Sequence, residues 1–386
     1  MKIKVLIIGA ILAFLIKVVI GFFDFFKSVP FVNTYSNCEY LNTDIVGPED
    51  LQKYNQTTII VGSGDFHKLW SHGTPTLEQL GLYAIVNTQD EKPKVVKLGI
   101  QNFPNDISLY VHGLYIRKQE DGEYIYTVNH AYQHGGERIE VFKIKDEHLN
   151  LEYQHSIIMD ENYNGVLNDL IVIEDNRFLV TKYLPYADPK EGRSVMTPSH
   201  FIKTLFIWIT QQKTSYIIDC RFQKDATIVQ PTCQQLLDSS LTGVVLNGIT
   251  WNQKNLVWAA DSIGRQLNEY ELTNQGLIFK RYIDVQNSID NLEYDSERNS
   301  LILGLIPKMS NYFSLDGFLK GLTRLDRQSK YDYYGTVGEY DLSSNKLSIL
   351  AQNTQLSKGL SGAVISGDNL FVGSWCDITV VICKKQ

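Results

Sequence analysis

The chain has no block rich in lysine or arginine. Its 36 Lys and Arg are outnumbered by 43 Asp and Glu, for a formal net charge of -7. Nucleic acid is therefore not an expected partner. There is no Gly-x-Ser-x-Gly sequence, which excludes the nucleophile elbow of serine hydrolases. No His/Cys cluster has the spacing of a zinc site. Cysteine is scarce, with five in 386 residues. No small-residue Ala-x-Ala pattern follows the apolar N-terminal run, so a signal-peptidase site is not evident.

What is present is apolar and aromatic. Hydrophobic residues make up 44% and aromatic residues 11%, including 22 Tyr and 17 Phe. That composition favours strands, and the length suffices for one large all-β domain with a sizeable core. Six stretches share one plan. Glu49-Asp50, His112-Gly113-Leu114, Asn168-Asp169, Asn247-Gly248-Ile249, Asp290-Asn291-Leu292 and Ser361-Gly362-Ala363 each open a strand-like unit. A polar turn and a second apolar run follow each, as in Glu174-Asp175-Asn176 and Gly367-Asp368-Asn369. Six such units imply a six-bladed β-propeller with the openings converging on one central site. Neighbouring strand side chains point to opposite faces, so Asn168 and Asp169 can each serve a different point. In the first unit, Glu49-Asp50 is expected to precede a strand over Thr57 to Val61.

Residues 1–27 read as a membrane-targeting segment, with the propeller over residues 28–386. Lys2 and Lys4 precede Val5 to Ile16, and Lys17 precedes Val18 to Phe23. Positive residues ahead of the run keep the N-terminus cytoplasmic and put the rest in the lumen or outside. A retained anchor and a cleaved signal peptide both fit, and the missing cleavage pattern favours the anchor. The cysteines agree with an oxidising compartment. Cys38 and Cys383 lie near the two ends of the domain, where a disulfide would close the ring. By loop entropy such a link contributes about 5–6 kcal/mol. Cys220 and Cys233 can form a local bridge or remain thiols, and Cys376 is left as a buried thiol. Asn55-Gln56-Thr57 is an N-glycosylation sequon, which makes Asn55 a candidate glycosylation site unless it is buried.

Leu109 to Arg117 and Glu123 to His130 read as two strands around Gln119 to Gly122. Hairpin pairing puts His112 opposite residues 129–131, and so beside His130. Two imidazoles at one strand end suit proton handling. Asn129 reads as a turn or supporting group, and His134 as an exposed residue in a Gln133–Glu137 loop. Leu184 to His200 reads as a long loop of the kind that forms lids. Phe201 to Trp208 fits a short helix, and equally a core strand paired with Ser215 to Cys220. Residues 311–325 carry apolar positions at helical spacing.

Glu49, Asn168, Asn247, Asp290 and Asn291 are oxygen donors at the openings of the units. Calcium takes six to eight oxygens and accepts amides among them. An Asn-rich shell leaves residual positive charge, which suits a Lewis acid. Asp50 and Asp169, one residue further on, can hold a second ion.

These residues, in this order and spacing, resemble the paraoxonases, a family of calcium-dependent arylesterases and lactonases with a six-bladed propeller. The resemblance covers nearly everything after residue 35. It rests on Asn37-Cys38, Glu49-Asp50-Leu51, His112-Gly113-Leu114, Val128-Asn129-His130, Leu167-Asn168-Asp169, Asn247-Gly248-Ile249, Asp290-Asn291 and Cys383. It implies a catalytic calcium on Glu49, Asn168, Asn247, Asp290 and Asn291. It implies a structural calcium on Asp50, Asp169 and the Leu114 carbonyl, and a water-activating dyad of His112 and His130. It also implies a Cys38–Cys383 disulfide and an uncleaved N-terminal segment. The chain departs from the family at Lys182-Tyr183, where Asn-Asp is common, and at Ile306, which replaces an active-site-wall His. These changes alter the pocket and not the calcium shell.

The expectation is a membrane-tethered, calcium-dependent hydrolase of lactones and aryl esters. The competing expectation is a calcium-stabilised binding propeller with little or no turnover, since a fold alone never proves activity. A sugar-acid lactonase or strictosidine-synthase-like propeller shares the architecture. The His pair and the terminal cysteines argue against it.

Overall fold

Runs such as Thr58-Ile59-Ile60-Val61 and Leu170-Ile171-Val172-Ile173 are apolar without alternation. That pattern marks strands buried on both faces, and these side chains are almost wholly inaccessible. A computed structural model describes residues 17–41, 44–70, 76–132, 136–146, 149–223, 228–311, 335–353, 356–357 and 359–386. The strands form six separate sheets of four to six strands each. The chain is an all-β, six-bladed β-propeller.

Blade 1 is built from Pro48–Asn55, Thr58–Ser63, Gly81–Val86 and Lys94–Lys97, in that order from the inside. Blade 2 runs through Val111–Gln119, Gly122–Ala131, Gly136–Ile144 and Leu151–Ile158. Blade 3 comprises Leu167–Glu174, Arg177–Lys182, Ser215–Arg221 and Thr232–Leu236. Blade 4 comprises Leu246–Trp251, Leu256–Asp261, Gln266–Thr273 and Gly276–Asp284. Blade 5 comprises Ser288–Asp295, Ser300–Ile306, Gly335–Asp341 and Lys346–Asn353. Blade 6 takes Leu360–Ser366, Asn369–Ser374 and Val381–Lys385 from the C-terminus and Tyr35–Tyr40 from the N-terminus. The last blade is thus shared between the two ends of the chain. Cys38 and Cys383 are disulfide-bonded within it, 345 residues apart. Cys220 and Cys233 pair across two strands of blade 3 and form the second disulfide, and Cys376 is a buried thiol.

Two readings of the sequence change, and one open alternative is decided. Glu49 and Asp50 lie inside the inner strand of blade 1, which begins at Pro48. Thr58–Ser63 is that blade's second strand. The segment Gln52-Lys53-Tyr54-Asn55 is too polar to announce a strand, and pairing with Thr58–Ser63 decides it. Pro198–Ile209 is a helix and not a core strand. Pro198 occupies its first turn, and Thr197 caps it by accepting from the His200 N–H. Gly136 and Glu137 belong to a strand rather than a loop. His134 and residues 312–334 lie outside the described residues.

Residues 1–16 of the N-terminal segment are also outside the described residues, and residues 17–23 are helical. Among the described residues no helix is long and apolar enough to cross a membrane. Residues 22–27 are fastened to the propeller. Phe22 is buried, Asp24 makes a two-pronged bond to Arg265 at 2.8 and 2.9 Å, and Lys27 Nζ donates to the Gln286 carbonyl at 2.9 Å. Asn55, the asparagine of the sequon, sits at the tip of the first hairpin and is exposed. Its Oδ1 accepts from the Thr57 N–H at 2.9 Å.

Candidate active site

All six inner strands lose their regular pairing at the dipeptides that open the units. The register shifts between Pro48 and Asp50, Val111 and Leu114, and Leu167 and Leu170. It shifts again between Leu246 and Ile249, Ile289 and Leu292, and Leu360 and Ala363. An interrupted ladder re-aims side chains that a regular strand would alternate. Gly113 and Gly248 let neighbouring inner strands approach at these points. A Cβ on Gly113 would stand 2.5 Å from Asp169 Cα, and one on Gly248 would stand 2.7 Å from Asn291 Cα.

The re-aimed residues meet. Asn291 Nδ2 donates to Glu49 Oε1 at 2.9 Å, and Glu49 Oε1 lies 3.6 Å from His112 Nε2. Asn168 Nδ2 lies 3.1 Å from the same imidazole nitrogen. Asn247 Nδ2 donates to Asp290 Oδ1 at 2.5 Å. All of these residues are buried. Glu49 Oε2 and the Oδ1 atoms of Asn168, Asn247 and Asn291 have no hydrogen-bond partner. A buried polar atom without a partner costs roughly 1–3 kcal/mol, so four of them on residues at the openings of the inner strands call for a ligand. Among the described residues no three His, Cys, Asp or Glu cluster as a metal site. Here three of the five candidate donors are amides, which suits calcium better than zinc or iron. The five-residue set fits a calcium ion.

The charge balance agrees. Among the described residues no Lys or Arg pairs with Glu49, Asp50, Asp169 or Asp290. Burial pushes the Glu49 carboxyl well above the usual range, and repulsion from Asp290, Asp50 and Asp169 adds to it. Burial likewise lifts Asp290 and Asp50 to about 7, and Asp169 is raised by burial and by Asp50. Asp50 and Asp169 are held differently from the first set. Asp50 accepts from Leu114 N–H at 2.8 Å and Leu51 N–H at 2.9 Å. Asp169 accepts from Ile249 N–H at 2.8 Å and Leu170 N–H at 2.7 Å. Each carboxylate thus links its own inner strand to the next blade. No atom is orphaned here. What favours a cation is the unneutralised charge of two buried carboxylates.

His112 and His130 are neighbours, as the hairpin pairing predicts. His112 Nδ1 and His130 Nε2 are 2.7 Å apart, and both rings are buried. Burial, then His130 and Arg193, hold the His112 pKa well below its ordinary value. A neutral imidazole with a bare nitrogen is what a proton acceptor requires. Asn129 supports the hairpin, accepting from the Tyr110 N–H at 2.8 Å and donating to Glu140 at 3.1 Å.

Phe66, Trp70, Asp188 and Arg193 were not foreseen at the site, whereas Tyr183 was expected to alter the pocket. Phe66 packs 4.6 Å from the His112 ring, and Trp70 stacks on Phe66 at 4.8 Å. Tyr183, one of the departures from the family pattern, meets His112 edge-on at 5.8 Å. The Leu184–His200 segment packs over this group. Asp188 accepts from Tyr132 Oη at 2.7 Å, and the Arg193 guanidinium lies 4.0 Å over the Trp70 ring. Lys182 turns away and donates to the carbonyls of Leu184 and Pro185. Ile306 is buried. Phe66 and Trp70 belong to a five-residue helix, and Asp188 and Arg193 to the segment between two strands of blade 3, all too short for periodicity to carry a signal. Glu137 pairs with His130 across a hairpin, and the arithmetic that joined the histidines could have found it.

Comparison with known proteins gives one family match, over part of the chain. Residues 33–190 match the family model described as Arylesterase. That span holds Glu49, Asp50, His112, Leu114, His130, Asn168 and Asp169, while Asn247, Asp290, Asn291 and Cys383 lie beyond it. The resemblance to the paraoxonase arylesterases holds over those residues. No curated protein matches the chain. Among solved structures, a luciferin-regenerating enzyme is similar at 11% identity and TM-score 0.51, covering 90% of this chain and 95% of that one. At that identity the likeness is one of fold. The periplasmic gluconolactonase PpgL of Pseudomonas aeruginosa is similar at 12% identity and TM-score 0.45, over 84% of this chain and 77% of that one. A putative 6-phosphogluconolactonase of Bacteroides uniformis is similar at 11% identity and TM-score 0.45, over 82% and 89%.

Proposed function

We propose that the protein is a calcium-dependent hydrolase of lactones and aryl esters. One observation carries the reading: three orphaned buried oxygens, on Glu49, Asn168 and Asn291, lie in one network with a histidine pair, and a fourth belongs to Asn247, which bonds Asp290 next to Asn291. The arylesterase match over residues 33–190 supports ester or lactone chemistry. Glu49, Asn168, Asn247, Asp290 and Asn291 would hold the catalytic ion. Asp50, Asp169 and the Leu114 carbonyl would hold a structural one. Bound at the first set, calcium supplies a Lewis acid for the substrate carbonyl oxygen.

The chain's own residues handle the proton. His112 Nε2 takes a proton from the attacking water as its oxygen bonds to the carbonyl carbon. His130 stabilises the resulting imidazolium through the 2.7 Å bond. The same proton then goes to the departing alkoxide or phenoxide, so the dyad is restored. Phe66, Trp70 and Tyr183 keep the imidazoles dry and offer flat apolar surface to an aryl or lactone ring. The two disulfides support an oxidising, secretory setting. In this reading the N-terminal segment would serve as the membrane tether.

The test is a panel of lactones, aryl esters and phosphotriesters, with and without a calcium chelator. Hydrolysis that disappears on chelation and returns with calcium is expected. A protein that binds calcium at full occupancy yet turns over none of the panel is a binding propeller and not a hydrolase.

A further inference from the structure

We propose that Glu137 is the positioning residue that sets the proton arrangement of both imidazoles. The assignment rests on the hydrolase reading only for its kinetic consequence. Glu137 is 1% exposed and His130 wholly buried, and Glu137 Oε2 lies 2.8 Å from His130 Nδ1. The carboxylate also accepts from the Gly165 N–H at 2.9 Å and the Leu167 N–H at 3.1 Å. It has only lone pairs to offer, so the proton of this bond belongs to His130 Nδ1. A neutral imidazole carries one proton, which leaves His130 Nε2 bare. That nitrogen faces His112 Nδ1 at 2.7 Å, so His112 Nδ1 must be the donor. His112 Nε2 is then bare as well, where Asn168 Nδ2 donates to it at 3.1 Å.

The opposite arrangement fails at the Glu137 end. It would set a bare His130 Nδ1 against a carboxylate oxygen. At His112 Nε2 the surroundings are mixed, with the Asn168 amide nitrogen at 3.1 Å and Glu49 Oε1 at 3.6 Å, so the Glu137 end decides. One buried carboxylate therefore decides, two rings away, that the nitrogen facing the calcium shell is a proton acceptor. A glutamine could not do this, because its amide can present either a donor or an acceptor to His130. Glu137 also braces Gly165 and Leu167, next to Asn168. The test must separate this bracing from the tautomer role.

The experiment labels the full chain with 15N-histidine and reads long-range 1H–15N couplings, assigning signals through His112→Gln and His130→Gln. The parent is expected to carry its ring proton on Nδ1 in both histidines. Glu137→Gln should show mixed tautomers and lower kcat for lactones about 10–100-fold with KM little changed. Glu137→Asp keeps an acceptor-only partner and should hold both tautomers and recover part of kcat. A parent with the proton on His130 Nε2 overturns the assignment, whether or not the variants fold. So does Glu137→Gln if kcat falls while both tautomers stay fixed, because Glu137 then only braces the loop. If the tautomers shift as expected but the parent hydrolyses nothing, the hydrolase reading fails and the positioning role stands.

Discussion

Asn291 donates to Glu49 at 2.9 Å across 242 residues of sequence. Their blades are not adjacent, since blade 6 lies between them in the ring. The contact leaves Asn291 Oδ1 and Glu49 Oε2 orphaned. Calcium on these atoms would tie blade 1 to blade 5. Chelation is therefore expected to lower the melting temperature, and added calcium to restore it. Asn291→Ala should weaken calcium binding and shrink that restoration. Differential scanning calorimetry with and without chelator checks both, and an unchanged curve after thorough chelation sinks the calcium assignment.

The dyad and the calcium shell should separate in mutants. Imidazole is a poor partner for a hard, oxygen-seeking ion, so His112→Gln is expected to keep calcium affinity. Lactone turnover should drop about 10²–10⁴-fold, the range for a lost general base. Asn168→Ala removes one of the orphaned oxygens, so turnover and calcium affinity should fall together. Calorimetric calcium titrations beside kcat values decide. His112→Gln at the parent rate would show that another group activates the water.

Close approach at Gly113 gives a stability prediction. Its Cβ would meet Asp169 Cα at 2.5 Å and the Asn168 carbonyl at 2.6 Å, all backbone. Gly113→Ala is expected to cost about 1–3 kcal/mol, as overpacking does, and to displace both Asn168 and Asp169. Gly362→Ala is the control in the matching place of blade 6, where the nearest atom is an ordinary 3.5 Å away. Equal melting temperatures for the two variants would refute the steric account.

Lys182 gives a pH dependence. Burial lowers its pKa to about 8, against about 10.4 for an unfolded lysine. Between those values the unfolded chain still holds a proton that the folded chain has released. This term therefore raises stability as pH climbs from about 8 to about 10. At pH 7 the buried charge is a cost, and Lys182→Met escapes it. The stability of Lys182→Met relative to the parent should thus be highest near neutrality and decline by pH 10. Denaturant titrations at several pH values measure the difference, and a flat difference would place the ammonium in water.

The repeated openings were legible because each blade spells the same device: a polar pair or His-Gly, an apolar run, a turn and a second run. Strands are local enough for that pattern to fix their number, and the terminal cysteines showed how the ring would close. The histidine pair was also legible, since hairpin pairing follows from residue count alone. The inner strand of blade 1 was not, because Gln52 to Asn55 owe their strand to pairing with Thr58–Ser63 rather than to their own character. Nor was the helix Pro198–Ile209, whose apolar run fits strand and helix equally until a Pro and a Thr cap select one. Tertiary structure alone decided which atoms were left without partners. Glu49, Asn168, Asn247 and Asn291 come from four blades, and whether one of their oxygens is satisfied depends on neighbours up to 242 residues away. It alone placed Phe66 and Trp70 against the imidazoles, with Arg193 over Trp70 and Asp188 on Tyr132, because these short segments are positioned by packing and not by any period of the chain.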